Sequence, residues 1–219
     1  MEIYPAILTE AISELQEQLD FVQNNGNFEV LHIDVIDGNF TDAITVTPLD
    51  LIDVEFEPLQ IDLHIMADEP MDTVFELITA KDILPVRAVI GQVEHMSSQR
   101  NFVEEVKKHG WKPGLAIDMY TPVEELEEDV LLEVDVVLLM GVEAGAQGQN
   151  FNRLVLEKVV ELKKIIVSNG KKIEVLVDGG VTPELLSAIE AAGVDSVAMG
   201  SAIWRATSPD DVLSELPQS

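Results

Sequence analysis

The sequence has no cysteine, which excludes disulfides, thiolate metal sites and cysteine nucleophiles; any metal must be held by imidazole and carboxylate. Basic residues are scarce: 13 Lys and Arg stand against 41 Asp and Glu, a formal charge of -28. Such a charge repels phosphate backbones and anionic lipid, so nucleic-acid and membrane partners are not expected. It also favours solubility. No apolar run reaches the roughly 18 residues of a membrane-spanning helix, and the opening MEIYPAILTEAISEL lacks the basic start of a secretory signal. A soluble cytoplasmic protein is expected. Linkers, sequence repeats and low-complexity tracts are absent too. With 47% hydrophobic residues, the chain has enough apolar surface for one large core, so a single domain over residues 1–219 is expected.

What is present is a rhythm. Apolar runs of strand length, IYPAIL, VLHIDV, LQIDLHIM, VRAVIG, KPGLAID, VDVVLLM, IEVLVD and DSVAMG, alternate with amphipathic stretches. That alternation calls for parallel strands joined by crossover helices, and eight units in this length match a closed (β/α)8 TIM barrel with outer helices. Helix starts are expected at Thr47-Pro48, Thr121-Pro122, Thr182-Pro183 and Ser208-Pro209, where a hydroxyl can cap and proline presets the first turn. EAISELQEQLDFVQNNG, SQRNFVEEVKKHG and FNRLVLEKVVELKKIIVSNG read as amphipathic helices ending at Gly. The acidic run EELEEDV reads as a solvated helix face.

Chemistry enters through polar residues in otherwise apolar strands. Residues two apart on a strand share a face, so His32 and Asp34 point one way while Leu31, Ile33 and Val35 point the other. If the apolar set meets the helices, an imidazole and a carboxylate face the barrel interior, where an unpaired charge is costly. His64, aligned with Asp62 and Met66, repeats the pattern on the third strand, and Asp178 ends the seventh. Two His and two Asp at the C-terminal strand ends, where barrel active sites are built, suit a divalent metal.

A second set suits phosphate. Gly145, Gly148 and Gln149 follow the sixth strand, Gly179 and Gly180 the seventh, and Gly200 and Ser201 the eighth, at the start of a helix. Glycines let backbone N–H groups approach an anion, and loops after the last barrel strands are a recurring phosphate site. In a chain too acidic to attract phosphate by net charge, a local amide cradle is the better account.

At these residues the chain resembles the ribulose-phosphate 3-epimerase family, in order from residue 4 to about 204. YPAIL, HIDVIDGNF, DLHIMADEP, VLLMGVEAGAQGQNF, VDGGV and VAMGSAIW carry the likeness, the HxDxxDG and VDGG segments most specifically. The resemblance implies one divalent cation (zinc, iron, manganese or cobalt) on His32, Asp34, His64 and Asp178, with Asp34 and Asp178 also the acid and base. It implies a substrate site that includes Met66 and Met140. Inverting a carbon beside a ketone needs one carboxylate to take a proton and another, on the opposite face, to deliver one. The implied substrate is a small-molecule sugar phosphate, D-ribulose 5-phosphate converted to D-xylulose 5-phosphate in carbohydrate metabolism through the pentose phosphate pathway, with homo-oligomerisation open. Asp37 is expected to organise its loop by hydrogen bonds. His95 and His109 are expected at the surface, and Tyr4 and Trp204 near the pocket without a role.

The chain departs from the family pattern around that centre. Ala6 stands where the family usually has Ser, Ile36 where it has Met, and Gln92 where it has a strand-four His. Ala144, Ala146 and Gln147 alter the phosphate loop, and Asp118-Met119 replaces Asn-Pro. Two alternatives follow: a hexulose 6-phosphate (allulose 6-phosphate) 3-epimerase, and a non-catalytic phosphosugar-binding barrel. A biosynthetic isomerase or decarboxylase barrel is disfavoured because such barrels use strand-end Lys, and none is placed here.

Overall fold

The structure is a computed structural model that describes residues 1–25, 28–146 and 148–216. Eight parallel strands close a barrel in chain order: β1 (Glu2–Ile7), β2 (Val30–Ile36), β3 (Gln60–Met66), β4 (Val86–Gln92), β5 (Lys112–Ile117), β6 (Val136–Met140), β7 (Glu174–Asp178) and β8 (Ser196–Met199). β8 pairs back onto β1, so no strand edge stays open. The (β/α)8 architecture read from the sequence is therefore present, and all eight expected runs contain a strand.

The core has two shells, and strand alternation creates both. Leu31, Ile33 and Val35 pack outward with helix residues such as Leu15, Leu19, Val74 and Phe102. Ala88, Ile90, Val136, Leu138 and Leu176 fill the barrel interior. β2 is buried along its whole length, so its polar residues face protein rather than water. No helix among the described residues is long and apolar enough to cross a membrane.

The outer layer comprises α1 (Ile12–Asn25), α2 (Pro70–Thr79), α3 (Gln99–Lys108), α4 (Glu128–Leu131), α5 (Val155–Ser168), α6 (Leu186–Ala191), α7 (Ser201–Trp204) and α8 (Pro209–Glu215). The three amphipathic stretches form α1, α3 and α5; the Gly26 expected to end α1 lies outside the described residues. Of the four hydroxyl-proline starts, only Ser208 acts as a side-chain cap, accepting from Asp211 N at 3.4 Å. Thr47 instead gives both its N–H and its hydroxyl to Asp50, and Pro48 enters a run of turns rather than a helix. Thr182 donates to Glu184 at 2.6 Å ahead of a short 3-10 turn at Pro183–Leu185. Thr121-Pro122 likewise leads into a 3-10 turn, Val123–Glu125, with no side-chain cap. In each case a nearby carboxylate or a single turn takes the place of an α-helical N-terminus. The acidic run splits between that turn and α4, with its glutamates in solvent and Val123, Leu126 and Val130 buried.

The amino end of the barrel holds a charge cluster. The β3–β4 register slips between Ile61 and Asp62, so that Asp62 pairs with Ala88 and Arg87 becomes the extra residue. The guanidinium binds Asp62 through both Nε and Nη2 and Glu174 through Nη1 at 3.0 Å, and lies 4.9 Å over the Tyr4 ring. Tyr4 and Ser196 donate to Glu174 at 2.7 and 2.6 Å. Burial alone would weaken the proton on Arg87, but the Asp62 and Glu174 carboxylates outweigh it and hold the group charged. Tyr4 therefore belongs to the end of the barrel opposite the predicted site.

Candidate active site

His32 and Asp34 lie on β2, His64 on β3 and Asp178 at the end of β7. Parallel pairing sets Asp34 beside His64 and His32 beside Asp62. All four residues are buried, and one ligand atom from each falls within 4.8 Å of the others. His64 Nδ1 is 3.0 Å from Asp34 Oδ1 and 3.9 Å from Asp178 Oδ2. His32 Nε2 is 3.6 Å from the same Asp34 oxygen, too long for a hydrogen bond. The sequence placed these four together, and the fold brings them together.

Three imidazole nitrogens here, both of His32 and Nε2 of His64, are buried without a hydrogen-bond partner among the described residues. Unsatisfied buried polar atoms are costly, of order 1–3 kcal/mol each, and native proteins seldom leave them so. Two imidazoles and two carboxylates converging on one point are the donor set that a divalent cation of intermediate softness prefers. The residues fit a metal on this structure's own terms.

Electrostatics separate the two carboxyls. Burial favours the neutral form of Asp34, but the polar contacts and charge of His32 and His64 outweigh it and hold the group well below the usual carboxylate range. Asp178 is pushed up to about 6, by burial first and by the Asp34 carboxylate second. Burial lowers the His32 imidazole, yet contact with Asp34 and the charges of Asp34, Asp178 and Asp62 raise it on balance.

One cleft opens above this centre, lined by Asp34, Asp178, Met66, Met140, Ala6 and, among others, Gly145, Gly148, Gly179, Gly180, Gly200 and Ser201. Every expected phosphate residue is there except Gln149, whose amide donates instead to the Glu143 and Ala146 carbonyls at 2.7 and 3.1 Å and staples the loop. Gln147 lies outside the described residues. α7, which Ser201 opens, is a single turn, so an anion held here would depend on backbone N–H groups rather than on a helix dipole. Gly180 needs to be glycine: its φ is 69°, and a Cβ there would come within 2.6 Å of Phe151 N and 2.9 Å of Gln149 O. Left-handed backbone costs other residues about 1–2 kcal/mol, so Gly180→Ala is expected to weaken inorganic phosphate binding about tenfold in calorimetric titration. An unchanged dissociation constant would remove these loops from the phosphate site.

Around the centre, Asp37 accepts from the N–H groups of Asn39, Phe40 and Asp68 at 2.8, 2.9 and 3.0 Å, organising its loop as expected. Thr45, missed by the sequence reading, donates to Asp34 O at 2.7 Å and accepts from Ile36 N at 2.8 Å, fixing the strand end that carries Asp34. Gln92 is fully buried, with neither amide atom partnered among the described residues. His95 is at the surface, bonded to Asp68 at 3.0 Å, whereas His109 is half-buried, 5.5 Å from the Trp111 ring. Trp204 donates to Ala6 O at 2.6 Å and, like Tyr4, does not line the cleft.

A family model described as the ribulose-phosphate 3 epimerase family matches residues 2–204. The chain is 32% identical over 219 residues to ribulose-phosphate 3-epimerase of Bacillus subtilis, covering 99% of this chain and 98% of that protein. It is 33% identical over 207 residues to the chloroplastic ribulose-5-phosphate-3-epimerase of Arabidopsis thaliana, covering 93% of this chain and 72% of that one. Among solved structures, 3-hexulose-6-phosphate synthase superposes with a TM-score of 0.67 at 14% identity over 99% of this chain and 98% of that chain. Phosphoribosyl anthranilate isomerase from Thermus thermophilus gives 0.64 at 14% identity, over 97% and 94%. At that identity the two structures speak for the barrel alone.

Proposed function

The chain belongs to the ribulose-phosphate 3-epimerase family, and from that premise we propose that it interconverts D-ribulose 5-phosphate and D-xylulose 5-phosphate at the cleft above His32, Asp34, His64 and Asp178. The observation that carries this reading is the convergence of the four side chains within 4.8 Å, with imidazole nitrogens that no group among the described residues satisfies. His32, Asp34, His64 and Asp178 would hold one divalent cation, with zinc, iron, manganese and cobalt all compatible with two imidazoles and two carboxylates. The cation supplies Lewis-acid charge that lowers the cost of the negative charge developing on the substrate as the carbon 3 proton leaves.

The carboxylates do the proton work. β2 and β7 stand on different sides of the barrel, so Asp34 and Asp178 approach a bound ketose from different directions. Asp34 is held as a carboxylate, able to take the carbon 3 proton, while Asp178, pushed up to about 6, accepts a proton more readily than an ordinary carboxylate and can deliver one to the other face. The two form a coupled pair, and their roles exchange when the opposite epimer is bound. Met66 and Met140 wall the cleft with apolar, adaptable surface and limit water around the exposed carbanion. The glycine loops bind the phosphate.

The test is exchange of the carbon 3 hydrogen of D-ribulose 5-phosphate in deuterated water by metal-loaded protein, with D-xylulose 5-phosphate appearing. Absence of exchange would overturn the substrate. Ala6 lines the cleft without a hydroxyl and leaves more space, which favours allulose 6-phosphate as the second reading; a higher kcat/KM for exchange on that hexulose would move the assignment to it. Metal content is read independently of turnover. Stripping the cation with a chelator is expected to lower the melting temperature, and restoring it at 100 times its dissociation constant to return about 2.7 kcal/mol. A melting curve indifferent to chelator and metal would remove the cation from the site.

A further inference from the structure

A substrate bearing a phosphate dianion enters a protein of charge -28, above a floor that contains Asp34 and Asp178. Backbone amides supply partial charge but no net positive charge. Lys158, which comes close to this end of the barrel, is taken up by the carbonyl oxygens of Asp118 and Met119 at 2.7 and 3.1 Å. Arg205 is placed differently. It lies one helical turn after Ser201, which lines the cleft, and its N–H bonds to Ser201 O at 3.1 Å, so the two share a face. Its guanidinium reaches across to the opposite wall and rests on Gly148: a Cβ added there would run into Nη1 and lie 2.9 Å from Cζ. The guanidinium has no ion pair or hydrogen bond to any described residue, in a chain with three acidic residues for every basic one. A guanidinium left without a carboxylate amid 41 acidic residues is available to an anion from outside.

We infer that Arg205, laid over Gly148 between the β6 and β8 loops, is the cationic contact for the substrate's phosphate, supplementing the glycine amides with net charge. This rests on the reading of those loops as the phosphate cradle. Gly148 is then glycine for two reasons: its φ of 78°, and the space the guanidinium needs. On this reading Arg205, placed against Gly148 and Ser201, acts on binding and not on the proton transfers.

The experiment compares Arg205→Gln and Arg205→Lys with Arg100→Gln, a charge-matched control on α3 whose guanidinium faces Asp129 and Glu133. For each, KM and kcat are measured for carbon 3 exchange on D-ribulose 5-phosphate and on unphosphorylated D-ribulose, and inorganic phosphate is titrated calorimetrically. Arg205→Gln is expected to raise both KM for the phosphorylated ketose and the phosphate dissociation constant about tenfold, with kcat within about twofold. Arg205→Lys should recover part of the loss, because it restores charge without the planar fork. Arg100→Gln should change neither quantity by more than about twofold, and D-ribulose should not distinguish Arg205→Gln from the parent protein. The assignment is overturned if Arg205→Gln leaves phosphate binding unchanged, or if unphosphorylated ribulose suffers equally, which would make Arg205 a loop support. Should the parent protein bind phosphate in an Arg205-dependent way but exchange no ketose phosphate, the epimerase reading fails and the assignment of Arg205 stands.

Discussion

Asp178→Asn is expected to fold as the parent does and to lose carbon 3 exchange on D-ribulose 5-phosphate by about three to four orders of magnitude, near the upper end of what a positioned acid or base contributes. Asn keeps the shape and one ligand oxygen but can neither hold nor deliver the proton. In free energy the loss is about 4–5 kcal/mol. Stability should move the other way or not at all. Asp178 is pushed up to about 6 by burial and by the Asp34 carboxylate, so at pH 7.5 a neutral amide in the metal-free protein removes a strained charge. The split is diagnostic: a drop in kcat with an unchanged or raised melting temperature belongs to a catalytic group. Exchange within tenfold of the parent would end the two-carboxylate mechanism. It would leave the non-catalytic barrel alive only if the parent protein were also inactive.

The legibility of this site follows from the geometry of strands. His32, Asp34, His64 and Asp178 sit in runs where alternation is strict and neighbours are apolar, so a polar side chain on the inner face stands out. Register then does the rest, since parallel pairing sets Asp34 beside His64 without any adjustment. Where alternation breaks, the sequence misleads. VRAVIG, read with period two, sends Arg87 outward opposite Ala88; the register slip beside Asp62 turns it in. α2 lacks the usual start signal: its N-cap is Glu69, accepting from Met71 N at 3.4 Å, and not the Ser, Thr, Asp or Asn that marks most helix starts. Thr47-Pro48 reads as a helix start, but Asp50 captures both polar hydrogens of Thr47 and the chain turns instead. Arg205 carries no pattern at all. Its meaning comes from Gly148, a residue 57 positions earlier (205 minus 148) that only the closed barrel brings to it.

The largest stability effect is expected at the other end of the barrel. Arg87→Leu keeps much of the volume but leaves Asp62, fully buried, with no counterion, and Glu174 without its guanidinium. Removing one partner of a buried pair costs about 3–5 kcal/mol, chiefly because the remaining charge has lost its compensation. The barrel should still close, since the hydrophobic shells are untouched, and metal binding at the far end should persist in protein that remains folded. The cost has a pH signature. In the parent, burial would raise Glu174, but hydrogen bonds from Ser196 and Arg87 and the arginine charge lower it on balance. A depressed carboxyl stabilises above its ordinary value of 4.5 and loses that contribution as pH falls through the lowered one. Asp62 carries the opposite sign: burial already raises its carboxyl in the parent against the pull of the guanidinium, and without Arg87 nothing opposes that rise, so the penalty in Arg87→Leu is full at high pH and relieved on protonation. Chemical denaturation at pH 7.5 and near pH 5 should therefore show the variant's deficit shrinking as the solution is acidified. A deficit independent of pH would mean that Arg87 stabilises by packing against Tyr4 and not by charge. A double variant, Arg87→Leu with Asp62→Leu, should recover most of the loss at pH 7.5, because it removes the orphaned charge along with its partner.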